Sequence, residues 1–324
     1  MKNTLLLIII FFLVSFCTSG QKEEQSDVPI RKGPFTATVL ADDIYVIRHG
    51  NDMNPCGYDY DENGNIIGLN NCSDMYLILA KRNAILIDLS HSKEFIDWDS
   101  SAAESLRSIV YELSGNRKLY ITCTHNHGDH IGMLPAFYDD ENVSFWINEA
   151  EFSGMVIFPQ DRTIYFTEGD SLDLGSNVLI HTLEVPGHTE HGTLFFLEKR
   201  NIVFSGDAIG SGSGVWIFSY ENFLKYINGI DKLITYIETP SNHIDAGELV
   251  IYSGHSWQVG DLGSLASRYI YDMRTLIGRI GQGIAESEPM SSDVRPTLNA
   301  NFKYGTATIT WNSEDAEKYA SLYK

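Results

Sequence analysis

Residues Thr124-His125-Asn126-His127-Gly128-Asp129-His130 place three imidazoles and a carboxylate within six positions. Neutral imidazole and carboxylate are good ligands for a divalent metal of intermediate softness, zinc above all. Two His at i and i+2, followed by Asp-His, can supply two neighbouring metals from one short loop. Only ten His occur in the whole chain, so three together point to a metal role rather than to a solvated polar loop. The residues just before them argue the same way, because Leu119, Ile121 and Cys123 alternate with Tyr120, Thr122 and Thr124, the period of a strand. Ile131, Met133, Leu134 and Phe137 follow with helical spacing. The cluster is thus expected in a loop between a strand end and a helix start, where ligands gather in open α/β sheets.

Three further segments repeat the pattern of an apolar run, a small residue and a metal-ligand type. Val178 to Glu184 leads to Val185-Pro186-Gly187-His188-Thr189. Asn201-Ile-Val203 leads to Phe204-Ser205-Gly206-Asp207-Ala208, and Glu248 to Ile251 leads to Tyr252-Ser253-Gly254-His255. Upstream, Ala84-Ile-Leu-Ile-Asp88 is another apolar run ending in a carboxylate.

His-x-His-x-Asp-His, with these later motifs in this order, resembles the signature of the metallo-β-lactamase fold superfamily. The resemblance covers residues 36 to 285. It implies an α/β fold: a four-layer αβ/βα sandwich of two mixed sheets face to face, with helices outside. It also implies two metal sites. His125, His127 and His188 would hold the first metal, Asp129, His130 and His255 the second, and Asp207 would bridge them. The cofactor so implied is two Zn²⁺, with Fe or Mn accepted by the same ligands. A hydroxide held between the metals would attack a carbonyl, and Asp129 and Asp207 are the catalytic carboxylates of that scheme. His130 with Asp207 resembles the lactonase and thioesterase branches more than the dedicated β-lactamases. A metal-dependent hydrolase of an ester, lactone, thioester or amide is therefore expected, with weak β-lactamase activity compatible. Two other readings share the ligands: a mononuclear iron persulfide dioxygenase-like oxidoreductase, and a non-catalytic metal-bearing binding lipoprotein.

Substrate residues are less marked. Trp216 and Trp257 are expected to wall the pocket, whereas Phe218 reads at least as well as a core residue. His191, three residues past a ligand, either backs the ligands, faces substrate or is solvated. His91 is a further candidate for the mouth.

Composition bounds the rest. A chain of 324 residues with 43% hydrophobic content can bury a globular core. Its formal charge of −20, from 43 acidic against 23 basic residues, repels phosphate backbones and argues against nucleic acid as partner. A small-molecule substrate is expected instead. Helices are predicted over Glu104 to Leu113, Glu221 to Ile237 and Ser264 to Ala285, each with one apolar stripe.

Residues 1–17 resemble a lipoprotein signal peptide: a basic start, the apolar run Leu5 to Phe16, then Cys17 as the residue to be lipidated. Phe16 departs from the small residue usual there. Residues 18–34 read as a tether in which Lys22-Glu23-Glu24 resembles a surface-export signal. The chain is thus expected to be exported, to the periplasm or the cell surface, with a membrane tether through Cys17. Residues 35–286 would form the domain and 287–324 an extension, with Glu288-Pro289 ending the last helix and a hairpin turning at Gly305. Cys123 reads as a buried thiol. Cys56 and Cys72 bracket a Gly- and Asn-rich insertion and could form a disulfide in an oxidising compartment. Inside it, Asp59 to Ile66 matches the first half of a calcium loop, but Asn70 stands where the bidentate Glu belongs. A hairpin turned at Asn63-Gly64 is the better reading.

Overall fold

The computed structural model describes residues 28–49, 59–60, 66–68, 72–91, 100–211, 213–259, 263–290 and 297–322. The expected signal peptide, Cys17 and Lys22-Glu23-Glu24 lie outside them. So does Cys56, and with it the expected pairing to Cys72, which is buried. Among the described residues no helix is long and apolar enough to cross a membrane.

Eight strands lie side by side in chain order in the first sheet: Ile30–Lys32, Phe35–Ala41, Ile44–His49, Met75–Leu79, Asn83–Ile87, Lys118–Thr122, Val143–Asn148 and Thr163–Phe166. Pairing is antiparallel up to Asn83–Ile87 and parallel beyond it. The second sheet is a meander of Ser171–Gly175, Val178–Glu184, Thr193–Leu197 and Ile202–Gly206. Val250–Ser253 then adds in parallel, and Leu265–Ala266 closes the edge.

The central strands carry apolar residues on both faces, as strands covered on both sides must. Ile44 and Val46 face the space between the sheets, while Tyr45 and Ile47 face the helix Ser100–Ser114. In the second sheet Phe195 and Phe204 meet that same inter-sheet core. Leu194, Phe196 and Val203 point the other way, to the helices Tyr220–Glu238 and Arg268–Gly281. Each fully buried Phe or Leu contributes ~1.5–3 kcal/mol. Helix, sheet, sheet, helix is the expected four-layer sandwich. The two sheets bring their strand ends to one rim, and the candidate metal ligands sit there.

Several local expectations are revised. The segment after the histidine cluster is not one helix but a single turn, Gly128–Ile131, followed by the 3-10 turn Leu134–Phe137. Pro135 has no N–H to donate and prevents a continuous α-helix. The third predicted helix is shorter, Arg268–Gly281, because Leu265–Ala266 pairs with Val250–Ile251 instead. Glu286–Pro289 does not end that helix; it is an edge strand on Ala300–Tyr304. The predicted hairpin forms from Ala300–Tyr304 and Ala307–Trp311, with Gly305 at φ 57. It packs into the core of the second sheet through Phe302, Ile309 and Trp311, and a helix, Ser313–Ser321, follows it. In the insertion, Asp59–Tyr60 and Ile66–Gly68 pair antiparallel, as the hairpin reading requires.

Candidate metal centre

The strand Lys118–Thr122 ends just before the cluster, and Thr124 turns into the site. Its N–H and hydroxyl both donate to the Asp88 carboxylate, at 2.7 and 2.9 Å. Asp88 adopts φ 61, a left-handed conformation that Asp tolerates better than most residues. The same carboxylate accepts the Nδ1 proton of His130 at 2.8 Å.

The seven predicted ligands converge as two groups, His125–His127–His188 and Asp129–His130–Asp207–His255. In the first, His125 Nε2 and His188 Nε2 lie 3.1 and 3.0 Å from His127 Nδ1. Tetrahedral zinc with Zn–N of 2.0–2.1 Å sets its nitrogens roughly 3.3–3.4 Å apart, so the three rings already stand close to ligand spacing. In the second, Asp207 Oδ2 lies 3.1 Å from His255 Nε2 and 3.6 Å from His130 Nε2. It also lies 3.8 Å from His188 Nε2, so one carboxylate oxygen reaches both groups.

Four rings are oriented by a bond from Nδ1, which leaves Nε2 for a metal. His125 donates to Thr124 Oγ1 at 3.0 Å, and His130 to Asp88. His188 and His255 donate to the carbonyls of Trp216 and Cys72, each at 3.0 Å. His130 Nε2 and Asp207 Oδ1 are buried with no hydrogen-bond partner among the described residues. Such orphaned polar atoms are costly unless something absent from the protein satisfies them. Gly254 permits the approach: a Cβ there would collide with Asp207 Oδ1 and stand 2.7 Å from His130 Cε1. Donor types, spacing and orphaned atoms all fit divalent metal ions.

The two groups differ electrostatically. Burial, reinforced by the neighbouring rings, lowers His125 well below the usual imidazole range and His127 to about 4. Burial also lowers His188, against the pull of Asp207. In the second group burial opposes the charged ring, but Asp88, Asp207 and Asp129 outweigh it and raise His130 to about 10. Burial likewise opposes charge on His255, and Asp207 with Asp129 carries it well above its ordinary value. Burial would raise Asp207, yet His255 and His130 hold it well below the carboxylate range.

Residues 73–235 match the profile of the metallo-beta-lactamase superfamily. The chain belongs to that superfamily. Every predicted ligand except His255 lies inside the matched residues. An atrochrysone carboxyl ACP thioesterase of Claviceps purpurea is 25% identical over 194 residues, 59% of this chain and 53% of that protein. The lactamase-like protein adaB of Aspergillus niger is 25% identical over 202 residues, 61% of this chain and 54% of that one. The chain thus spans about half the length of these curated relatives. Among solved structures, a metallo beta lactamase from Erythrobacter litoralis aligns with TM-score 0.52 at 16% identity, covering 78% of this chain and 100% of that one. One from Pontibacter korlensis gives 0.51 at 14%, covering 75% and 99%. At such identities the structures establish the shared fold.

Within this superfamily fold the predicted substrate residues are more scattered than the ligands. Trp257 stands beside the second group, its ring 5.9 Å from that of His255. Trp216 is half-buried and meets the site through its backbone carbonyl. The aromatic ring against the first group is Phe218, 6.0 Å from His127 and 5.4 Å from His188, a place that no sequence period signals. His191 is half-exposed, with Nδ1 2.8 Å from Glu184.

Glu151 is a member of the site that the sequence does not announce. It is buried, and its two carboxylate oxygens accept the N–H of Asn126 at 3.0 Å and of His191 at 2.8 Å. It therefore ties the loop of His125 and His127 to the loop of His188. Burial raises its pKa although both N–H groups oppose the shift. A lone Glu three residues past a strand carries no pattern that marks it as a clamp.

Proposed function

We propose that this chain is a binuclear, zinc-dependent hydrolase that cleaves a carbonyl-centred acyl bond of a small molecule: an ester, lactone, thioester or amide. The observation that carries this reading is the pair of donor groups joined by Asp207, with buried atoms of His130 and Asp207 left without protein partners among the described residues. Zinc ions held there would provide a hydroxide nucleophile at neutral pH and a Lewis acid for a carbonyl oxygen. His125, His127 and His188 would hold one ion, and Asp129, His130 and His255 the other. Asp207 Oδ2, 3.8 Å from His188 Nε2 and 3.1 Å from His255 Nε2, would bridge. Asp129 sits at the second group with its carboxylate 3.5 Å from His255 Nε2, where it can also accept a proton from the nucleophile.

Phe218 against the first group and Trp257 against the second would exclude water and favour a substrate with an apolar acyl arm. The names of the thioesterase and lactamase-like relatives agree with acyl chemistry. The acidic balance of the chain suits a substrate without a polyphosphate backbone. Export, with a tether through Cys17, is part of the proposal; fractionation of cells expressing the chain and its Cys17→Ser variant tests it.

The experiment is elemental analysis of protein purified without chelator, together with a panel of lactones, esters, thioesters and β-lactams. Two zinc ions per chain with turnover of an acyl substrate is the expected result. One iron with oxygen uptake on a persulfide would replace the hydrolase by a dioxygenase. Metal retained with no turnover of any substrate would favour a binding role.

A further inference from the structure

The hairpin of Ala300–Tyr304 and Ala307–Trp311 lies outside the residues that match the superfamily profile, yet it reaches the first ligand group. His188 Nδ1 donates to the carbonyl of Trp216. Trp216 belongs to the short strand Val215–Trp216, which pairs in parallel with Ala307–Trp311, Val215 opposite Ile309 and Trp216 opposite Thr310. The N–H of Ile217 donates to the Thr310 carbonyl at 3.0 Å and so fixes the peptide that carries the Trp216 oxygen. Gly214, at φ 95, lets the two strands close up: a Cβ there would collide with Thr308 O and stand 2.6 Å from Thr308 Cβ. The hairpin is itself held rigidly. Trp311 is fully buried and stacked on Phe223 at 3.9 Å and 17°. At the far end, the Asp272 carboxylate accepts the N–H and hydroxyl of Thr306 at 2.8 and 3.0 Å.

We propose that the hairpin is a positioning element of the metal centre: it fixes the Trp216 carbonyl, and that carbonyl sets the tautomer and orientation of His188 so that Nε2 faces the first ion. The inference rests on the metal reading above, but the tautomer of His188 can be measured without any metal. An outer acceptor of this kind orients its ligand, and losing it typically costs about 10–100-fold in metal affinity.

Gly214→Ala tests the link. It forces the strand Val215–Trp216 away from the hairpin and substitutes none of the ligand residues. Gly305→Ala serves as the comparison, because it strains the hairpin at Asp272, far along the strand from Trp216. Two readouts are taken: imidazole nitrogen NMR of the metal-free proteins, and the affinity of each ion on titration. In the wild type and in Gly305→Ala, His188 should carry its proton on Nδ1. In Gly214→Ala that preference should be lost and the first ion bound about 10–100-fold more weakly, with the second ion less affected. If Gly214→Ala cannot be purified folded, Ile217→Pro, which deletes the donor to Thr310 O, gives the same comparison. An unchanged His188 tautomer in the strand-separating variant would overturn the proposal. So would an equal loss in Gly305→Ala, which would make the hairpin a source of general stability only. Failure of the wild type to bind any ion would instead refute the metal reading and leave the tautomer result standing.

Discussion

The two ligand groups share one rim and one carboxylate, yet they are built on opposite electrostatic plans. His125, His127 and His188 are three rings crowded together and held neutral by burial. His130 sits among Asp88, Asp207 and Asp129, and His255 beside Asp207 and Asp129, and these carboxylates push both imidazoles above their ordinary value against the effect of burial. The first group is thus already in the protonation state a metal needs. The second is stabilised without metal by internal ion pairs that an ion must displace. The difference teaches that a ligand set can be preorganised in geometry without being preorganised in charge.

Removing the shared carboxylate should have the largest effect. Asp207→Ala is expected to abolish turnover of any acyl substrate. It should also lower the denaturant midpoint of the metal-free protein at pH 7, because the buried His130 and His255 lose a close anion. Unchanged turnover would refute the bridging role. Next comes Asp88, which supports both groups through Thr124 and through His130. Asp88→Asn keeps a residue tolerant of the left-handed conformation but removes the charge. It should weaken binding of both ions by about 10–100-fold, read by chelator competition. Weakening of only one ion would show that Asp88 serves a single group.

Glu151→Gln should act on the first group alone. Its amide nitrogen cannot accept one of the two N–H groups that the carboxylate now holds, so the two first-group loops should loosen. About tenfold weaker binding of the first ion is expected in the same competition assay, and an equal effect on both ions would contradict the clamp. Phe218→Ala should be mildest. It should reduce kcat/KM for substrates with long apolar acyl arms by about tenfold and leave short-chain substrates nearly unchanged. An equal loss for both would mean that the ring supports His127 and His188 rather than the substrate.

The contrast between the groups also has a signature in stability against pH. For His127 the folded pKa of about 4 lies below the ordinary value of 6.5, so the unfolded chain binds the proton more readily. Stability of the metal-free protein therefore falls as pH drops from 6.5 towards 4. For His130 the folded value of about 10 lies above 6.5, so its contribution is fully present below 6.5 and lost as pH rises through about 10. Denaturant midpoints across that range should show both flanks, and zinc should remove the alkaline one.

Much of this centre was legible in the sequence, because a metal demands specific residue types and the motifs that carry them each follow a strand, with Gly187, Gly206 and Gly254 just before His188, Asp207 and His255. All seven predicted ligands come together, and the layered fold follows from apolar strand runs and three amphipathic helices. What supports the ligands was less legible. Glu151 and the carbonyls of Trp216 and Cys72 act through tertiary contacts, and backbone acceptors leave no trace in residue type. The helix expected after the cluster ends at Ile131 because the Pro135 ring overrides the apolar spacing around it. The strand Glu286–Pro289 is exposed throughout and has no apolar alternation to announce it.

The most direct measurement is calorimetric titration of the metal-free protein with zinc at about pH 8, repeated in buffers of different ionisation enthalpy. The buffer dependence counts the protons released as each ion binds. Two binding events are predicted, one with almost no proton release and one with a clear release, led by the His130 ring that its carboxylates raise to about 10. A single event, or two events with equal proton release, would contradict the account of two unlike sites.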